Sequence, residues 1–368
     1  MNDRIASGVH MELIPVNLLT GFLGSGKSTL LTEILQNPDF CNTAVIVNEF
    51  GEIGLDGLLI QQTNEQIVEM TSGCLCCTIR GDIRQTLVDL YGKFVKCQIP
   101  KFDRVIVEST GLADPAPVVQ TLMSDPLLRN RYMLGGVITT IDALHGSDTI
   151  ERHKECEKQA AVADRLVITK SDLIDSDATK KTLSKLRSKL LSLNPTAIVL
   201  DRHQRDFEFK SLFDTSLYDP DTKSMNVRKW LNAEANIRVH NHSHGDASDH
   251  HGHHHHDITR HGSDIRSFTL TFDDPITIET LASSLEALFL TQGANILRVK
   301  GIANTVDRPD HPLVVHGVQH VFHDPVWLDD WPDESRQTQL VFITSGVTRE
   351  SLELFFKSWI STSNGVWR

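Results

Sequence analysis

The chain has 368 residues, with 36 Lys and Arg against 48 Asp and Glu and a formal net charge of −12. That length can hold two domains, each with its own core, and the acidic balance argues against a general attraction to nucleic acid or to an anionic membrane surface. The polar start MNDRIASGVHMELIPV lacks the apolar centre of a signal peptide, no later run is long enough to span a bilayer, and six cysteines are too few for a disulfide scaffold, so a cytoplasmic protein is expected.

After a tail over 1–13, short β-rich apolar runs alternate with longer helix-patterned segments over 14–205. This pattern predicts a mainly parallel sheet covered on both faces. The expected strands are PVNLLT, TAVIVN, QIVEM, RVIVES, GGVITTID, RLVITK and AIVL; the expected helices are KSTLLTEILQ, IRQTLVDLYGKF, ERHKECEKQAAVAD and TKKTLSKLRSKLLSL. Residues 206–263 form a polar, His-rich linker. A smaller α+β domain over 264–368 follows, with strands SFTLTF, ILRVKGIA, PLVVHGVQHVF and QLVFIT and helices ITIETLASSLEALFL and TRESLELFFKSW.

GFLGSGKST fits G-x-x-x-x-G-K-[ST] between an apolar strand and a helix, the context that gives this motif its meaning. The predicted phosphate-binding set is Gly21, Gly24, Ser25, Gly26, Lys27, Ser28 and Thr29. Backbone N–H groups and the helix N-terminus favour phosphate there; Lys27 is expected on the β and γ phosphates and the Ser28 hydroxyl on Mg²⁺. RVIVESTGLADP places Glu108 at the carboxyl end of a strand, where open α/β sheets present ligand-contacting groups. Glu108 is expected to hold Mg²⁺ through water, and the Gly111 N–H to follow the γ-phosphate. Lys27, Ser28 and Glu108 are thus the candidate catalytic residues. In LVITKSDL, Thr169, Lys170 and Asp172 approach the N/T-K-x-D pattern of guanine-binding proteins. A carboxylate at Asp172 can accept from both N1–H and the exocyclic amine of guanine, whereas adenine would leave it unpaired, so GTP is favoured over ATP. A helix N-cap at Ser171 or Asp172 is the plain alternative.

TSGCLCCTIRGD brings Cys74, Cys76 and Cys77 within four positions. Three thiols at C-x-C-C spacing suit Zn²⁺, Co²⁺ or another borderline metal, and adjacent Cys76 and Cys77 would strain a mutual disulfide. Gly73 and Arg80-Gly81 predict a tight loop around them; inert buried thiols and a redox centre are the other readings.

Together, GFLGSGKST, VNEFGEIGLD, SGCLCCTIRGDI, VESTGLADPAPV, TKSDL and LRVKGIA…PLVVHGVQHVF strongly resemble the CobW-type GTPases. These are proposed metal chaperones related to the nickel-insertion GTPases of hydrogenase and urease maturation. The resemblance implies a P-loop GTPase domain joined to a CobW C-terminal domain, GTP-dependent binding of zinc or cobalt at Cys74, Cys76 and Cys77, and a client metalloprotein as partner. The segment over 48–57, acidic at Glu49, Glu52 and Asp56 and rich in glycine, resembles the family's nucleotide-sensing segment, and Glu49 is a candidate fourth metal ligand. Leu112 follows Gly111 where Ras-like proteins place a water-orienting Gln, so unaided hydrolysis should be slow. Ten histidines between His240 and His261, with few apolar neighbours, predict a disordered metal-collecting segment, with a solvated spacer as the alternative. A nucleotide-gated regulatory protein with a structural metal stands as the second functional reading. Neither nucleic acid nor membrane is an expected partner, and a homodimer is left open.

Overall fold

The computed structural model describes residues 13–47, 67–69, 75–78, 82–213, 264–322, 325–332 and 334–363. Its first body is built on β1 (Ile14–Gly21), β2 (Thr43–Val47), β3 (Ile67–Glu69), β4 (Leu75–Thr78), β5 (Arg104–Glu108), β6 (Tyr132–Asp142), β7 (Arg165–Thr169) and β8 (Ile198–Asp201). These lie in one sheet in the order β3-β4-β2-β5-β1-β6-β7-β8. Neighbours pair in parallel except β3, which runs antiparallel to β4.

The strands are apolar on both faces, as a sheet covered on both sides requires. Val105 and Val107 join one core and Ile106 the other; Leu166 and Ile168 are likewise opposed by Val167. The first core takes Leu87 and Leu90 of α2 (Ile83–Val95) and Val119 and Leu122 of α3 (Ala116–Ser124), which ends at the extended Asp125, the N-cap of α4 (Pro126–Arg129). It also takes Ile150 of α5 (Gly146–Arg152), Ala160 of α6 (Lys154–Val162) and Leu190 of α7 (Asp177–Leu193). On the other face lie Leu30, Leu31, Ile34 and Leu35 of α1 (Lys27–Gln36), together with Leu212. Each such Leu, Ile or Val side chain, removed wholly from water, contributes about 1.5–3 kcal/mol before the cost of ordering it.

The second body carries β9 (Ile265–Phe272), β10 (Ile296–Ala303), β11 (Leu313–Val318), β12 (Val321–Phe322), β13 (Val326–Trp327) and β14 (Thr338–Ser345) in an antiparallel sheet ordered β12-β11-β10-β14-β9, with β13 on β11. Helices α8 (Ile278–Gln292) and α9 (Arg349–Ser363) complete it, and Leu285, Phe289 and Phe356 close one core with Val299, Val315 and Phe342. The mainly parallel P-loop body followed by an α+β body agrees with the expected fold class. No helix among the described residues is long and apolar enough to cross a membrane.

Three local expectations are corrected. ERHKECEKQAAVAD is not one helix: His153 is extended (φ −126, ψ 109), its N–H closes α5 on the Thr149 carbonyl at 2.9 Å, and its ring meets Phe22 at 4.5 Å. PLVVHGVQHVF is a hairpin, because Gln319 turns the chain at φ 48 between β11 and β12. Cys76 and Cys77 lie on β4 instead of a loop, since their segment forms backbone pairs with both β2 and β3.

The bodies join through a buried ionic cluster. Asp164, 1% exposed, accepts from Lys300 Nζ at 2.9 Å and from Arg298, whose other Nη donates to the Val162 carbonyl. Arg298 also meets His316 Nε2 at 3.0 Å, and Asp164 Oδ2 accepts from the Val137 N–H at 2.9 Å. Burial pushes the Asp164 carboxyl up, but Arg298, Lys300 and His316 outweigh it and hold that group well below the usual carboxylate range. Lys300 is pushed down to about 7 by burial and by the Arg298 charge, against the pull of Asp164.

Candidate functional site

The turn between β1 and α1 is shaped by glycine where glycine alone fits. Gly21 sits at φ 141, and a Cβ there would lie 2.3 Å from Thr140 Oγ1; Gly26 caps α1 in the left-handed region at φ 90. The cradle is tied to its neighbours by Ser25 Oγ to Thr140 Oγ1 at 2.6 Å and by Thr169 Oγ1 donating to the Ser25 carbonyl at 2.7 Å. Lys27 Nζ reaches back over the loop to the carbonyls of Gly21 (2.9 Å) and Phe22 (3.2 Å). Ser28 Oγ donates to Glu108 Oε1 at 2.8 Å, which joins the first turn of α1 to the end of β5. A hydroxyl and a carboxylate so placed are the hard oxygen donors that Mg²⁺ takes. Thr29 follows on α1 and is exposed. The loop after Glu108 lies directly on the cradle: a Cβ on Gly111 would fall 2.7 Å from the Leu23 nitrogen. The structure therefore brings Lys27, Ser28, Glu108 and Gly111 together, as their motifs implied.

At the end of β7, Lys170 takes a left-handed conformation (φ 58) and its Nζ donates to Asp142 Oδ2 at 2.7 Å. Burial raises the Asp142 carboxyl, yet Lys170 and the N–H groups of His145 and Leu144 outweigh it and leave it below its ordinary range. Asp172 Oδ1 is met by His203 Nε2 at 3.0 Å, and Ser171 Oγ donates to Asp201. Asp172 is half exposed and caps no helix among the described residues. A cleft of about 240 Å³ beside the loop is lined by Ser25, Thr140, Asp142, His145, Cys156 and Lys170.

Asp142, Thr140 and His203 escaped the sequence reading. Asp142 ends a strand as Glu108 does, and the same strand-end rule would have singled it out. His203 carries no local signal, because its role exists only once β8 lies beside β7.

Of the predicted metal residues, Glu49 and Cys74 lie outside the described residues, as does the whole histidine tract, and for Cys76 and Cys77 the backbone alone is described. Their strand is nonetheless placed. Thr78 pairs with Val47, Val47 with Glu108 and Glu108 with Leu19, one row across β4, β2, β5 and β1. Cys77 is one residue before that row and two strand spacings, about 10 Å, from the strand that ends in Glu108. Among the described residues no group of three His, Cys, Asp or Glu could hold a metal ion. Cys156 is buried, its thiol pushed up to about 12 by burial and by Glu157, which makes it an inert packing residue.

Residues 15–201 match the family described as CobW/HypB/UreG, nucleotide-binding domain, and residues 265–359 match the cobalamin synthesis protein cobW C-terminal domain. The zinc chaperone YjiA of Escherichia coli is 32% identical over 346 residues, covering 94% of this chain and 98% of that protein. Zinc-regulated GTPase metalloprotein activator 1 of Schizosaccharomyces pombe is 29% identical over 333 residues, covering 85% and 77% respectively. The crystal structure of the Zn(II)-bound YjiA GTPase from E. coli aligns with a TM-score of 0.70 at 31% identity, covering 95% of this chain and 99% of that one.

Proposed function

The chain belongs to the CobW/HypB/UreG family, and on that premise we propose that it is a GTPase metallochaperone. Zinc, with cobalt as the second candidate, is its cargo, carried at Cys74, Cys76 and Cys77 with Glu49 as a candidate fourth ligand and delivered to a client metalloprotein. The observation that carries the reading is the backbone row from β4 through β2 and β5 to β1: the strand bearing Cys76 and Cys77 shares its register with the strands that end in Glu108 and in the phosphate loop. A nucleotide-driven change at Glu108 then needs to cross only β2 to reach the thiol strand.

In this reading the backbone of Gly21, Gly24, Ser25, Gly26 and Thr29 cradles the phosphates, and Lys27 exchanges the Gly21 and Phe22 carbonyls for phosphate oxygens. Ser28 would hold Mg²⁺ by its hydroxyl and Glu108 would hold it through water; the ion would supply neutralisation of the charge that builds on the transferring phosphate. The Gly111 N–H follows the γ-phosphate. Thr169 and Lys170 shape the floor of the base site, and Asp172 reads the guanine edge. Leu112 offers no hydrogen bond to an attacking water, so turnover is slow until a client or another partner completes the site.

The base assignment has a direct test. Wild-type protein should bind GTP well above ATP, and Asp172→Ala should lower GTP affinity about 10–100-fold, as expected for a lost hydrogen bond to a charged group, with little change for ATP. The readout is equilibrium titration of both nucleotides with Mg²⁺. Equal affinity of the wild type for both would contradict the assignment.

A further inference from the structure

One buried amide stands between the nucleotide loop and the second body. Gln159 on α6 is 0% exposed, and its Nε2 donates to the carbonyls of Gly111 at 3.2 Å and Ala113 at 3.0 Å. Two acceptors on one side fix which way the amide points; its Oε1 has no partner among the described residues. Gln159 is itself anchored, since its carbonyl accepts from Thr139 Oγ1 of β6 at 2.9 Å. The loop it holds is a closed turn, in which the Ala113 N–H donates to the Thr110 carbonyl at 3.1 Å, and that carbonyl belongs to the peptide carrying the Gly111 N–H. The near end of the loop is tied to β1 by Ser109 Oγ donating to Thr20 Oγ1 at 2.8 Å. Gln159 supplies the far tie. Three residues on, the Val162 carbonyl of the same helix accepts from Arg298 of β10, so one short helix touches both the phosphate-sensing turn and the second body.

We infer that Gln159 is the positioning residue that lets the site distinguish GTP from GDP: it holds the Ser109–Ala113 turn where the Gly111 N–H meets a γ-phosphate. The inference rests on the proposed role of Gly111. Without the amide, the turn keeps its tie to β1 but loses the grip on two carbonyls, and part of the γ-phosphate's binding energy is spent on ordering it. GDP makes no use of that turn and is unaffected. Movement of the turn must also shift or strain α6, which gives the nucleotide state a physical contact with Arg298 and the second body.

The test uses the full chain with Gln159→Met, which keeps shape and burial but donates no hydrogen bond. Affinities for GDP and for a non-hydrolysable GTP analogue, both with Mg²⁺, are measured beside those of the wild type. The expected result is about a ten-fold loss for the analogue, equivalent to about 1.4 kcal/mol, with GDP affinity within two-fold of wild type. Gln159→Glu adds a signature that packing alone would not produce. Its carboxylate faces two carbonyls at pH 8, whereas its protonated form at pH 6 can donate to one of them, so selectivity for the analogue, normalised to wild type at each pH, should recover on acidification. The Glu variant carries the test if the Met variant does not fold. Unchanged selectivity in the variants, or parallel loss of analogue and GDP, overturns the inference while leaving the proposed function standing. A wild type that binds the analogue and GDP equally overturns the inference together with the proposed γ-phosphate contact of Gly111, and leaves the GTPase and cargo reading to its own tests.

Discussion

Replacing Lys27 by alanine should lower GTP turnover by about 10²–10³-fold, the magnitude typical of removing one fixed donor from charge that develops in a transition state. The lysine is held over the loop by the Gly21 and Phe22 carbonyls, within reach of whatever the loop binds. Losing it should not unfold the protein. The first turn of α1 is organised by the left-handed Gly26, and the helix is anchored by Leu30, Leu31, Ile34 and Leu35, none of which the change touches. Phosphate release in single turnover, beside a thermal melt, checks both halves. Turnover within a few-fold of wild type would mean that the loop binds nucleotide in some other way.

Asp164→Leu should destabilise the protein by about 3–5 kcal/mol, because Arg298 and Lys300 would stay buried without their shared carboxylate. The same cluster sets a pH dependence. The folded-state pKa of Asp164 is depressed, so its stabilisation is present above the ordinary carboxylate pKa of about 4 and fades only as pH falls towards the folded value. Lys300 acts on the other side of neutrality. Its folded pKa, about 7 against the ordinary 10.5, means that the unfolded chain binds the extra proton between those values, so stability rises with pH across that window. A single group can contribute at most about 1.4 kcal/mol per pH unit to that rise. Denaturant unfolding at pH 7 and pH 9 should show the rise in wild type and its loss in Lys300→Met. A neutral effect of Asp164→Leu would mean that the bodies are held by their apolar contacts alone, through Ile265, Leu297, Val318 and Ile343.

What could be read in the sequence follows the range of the chemistry. The phosphate loop, Glu108 at a strand end and the TKSD tetrapeptide each depend on residues a few positions apart, and local order was enough to single them out as candidates. The parallel sheet was legible for the same reason, since strands buried on both faces show as continuous apolar runs. Pairs that form only after folding were not: His203 with Asp172, Asp142 with Lys170, Gln159 with Gly111 and Asp164 with Arg298 join segments 28 to 134 residues apart or are set by neighbouring strands. His153 interrupts a good helical pattern because its extended backbone and its ring contact with Phe22 are tertiary facts that no helical period encodes. The thiol segment misled in another way. Its flanking glycines suggested a loop, whereas Leu75–Thr78 alternates too briefly to declare itself a strand until β2 and β3 pair with it.

The central claim, that thiol-held zinc is coupled to the nucleotide, is tested by competition titration of Zn²⁺ against a chelator with the full chain. Three states are compared: nucleotide-free, GDP-bound and bound to a non-hydrolysable GTP analogue with Mg²⁺. Zinc affinity should be highest with the analogue, should rise with pH as thiols lose their protons, and should fall sharply in each of Cys74→Ser, Cys76→Ser and Cys77→Ser. Linkage then requires zinc to tighten binding of the analogue by the same factor. Identical zinc affinity in all three states would contradict the account and leave the cluster as a structural or redox feature of a GTPase that carries no cargo.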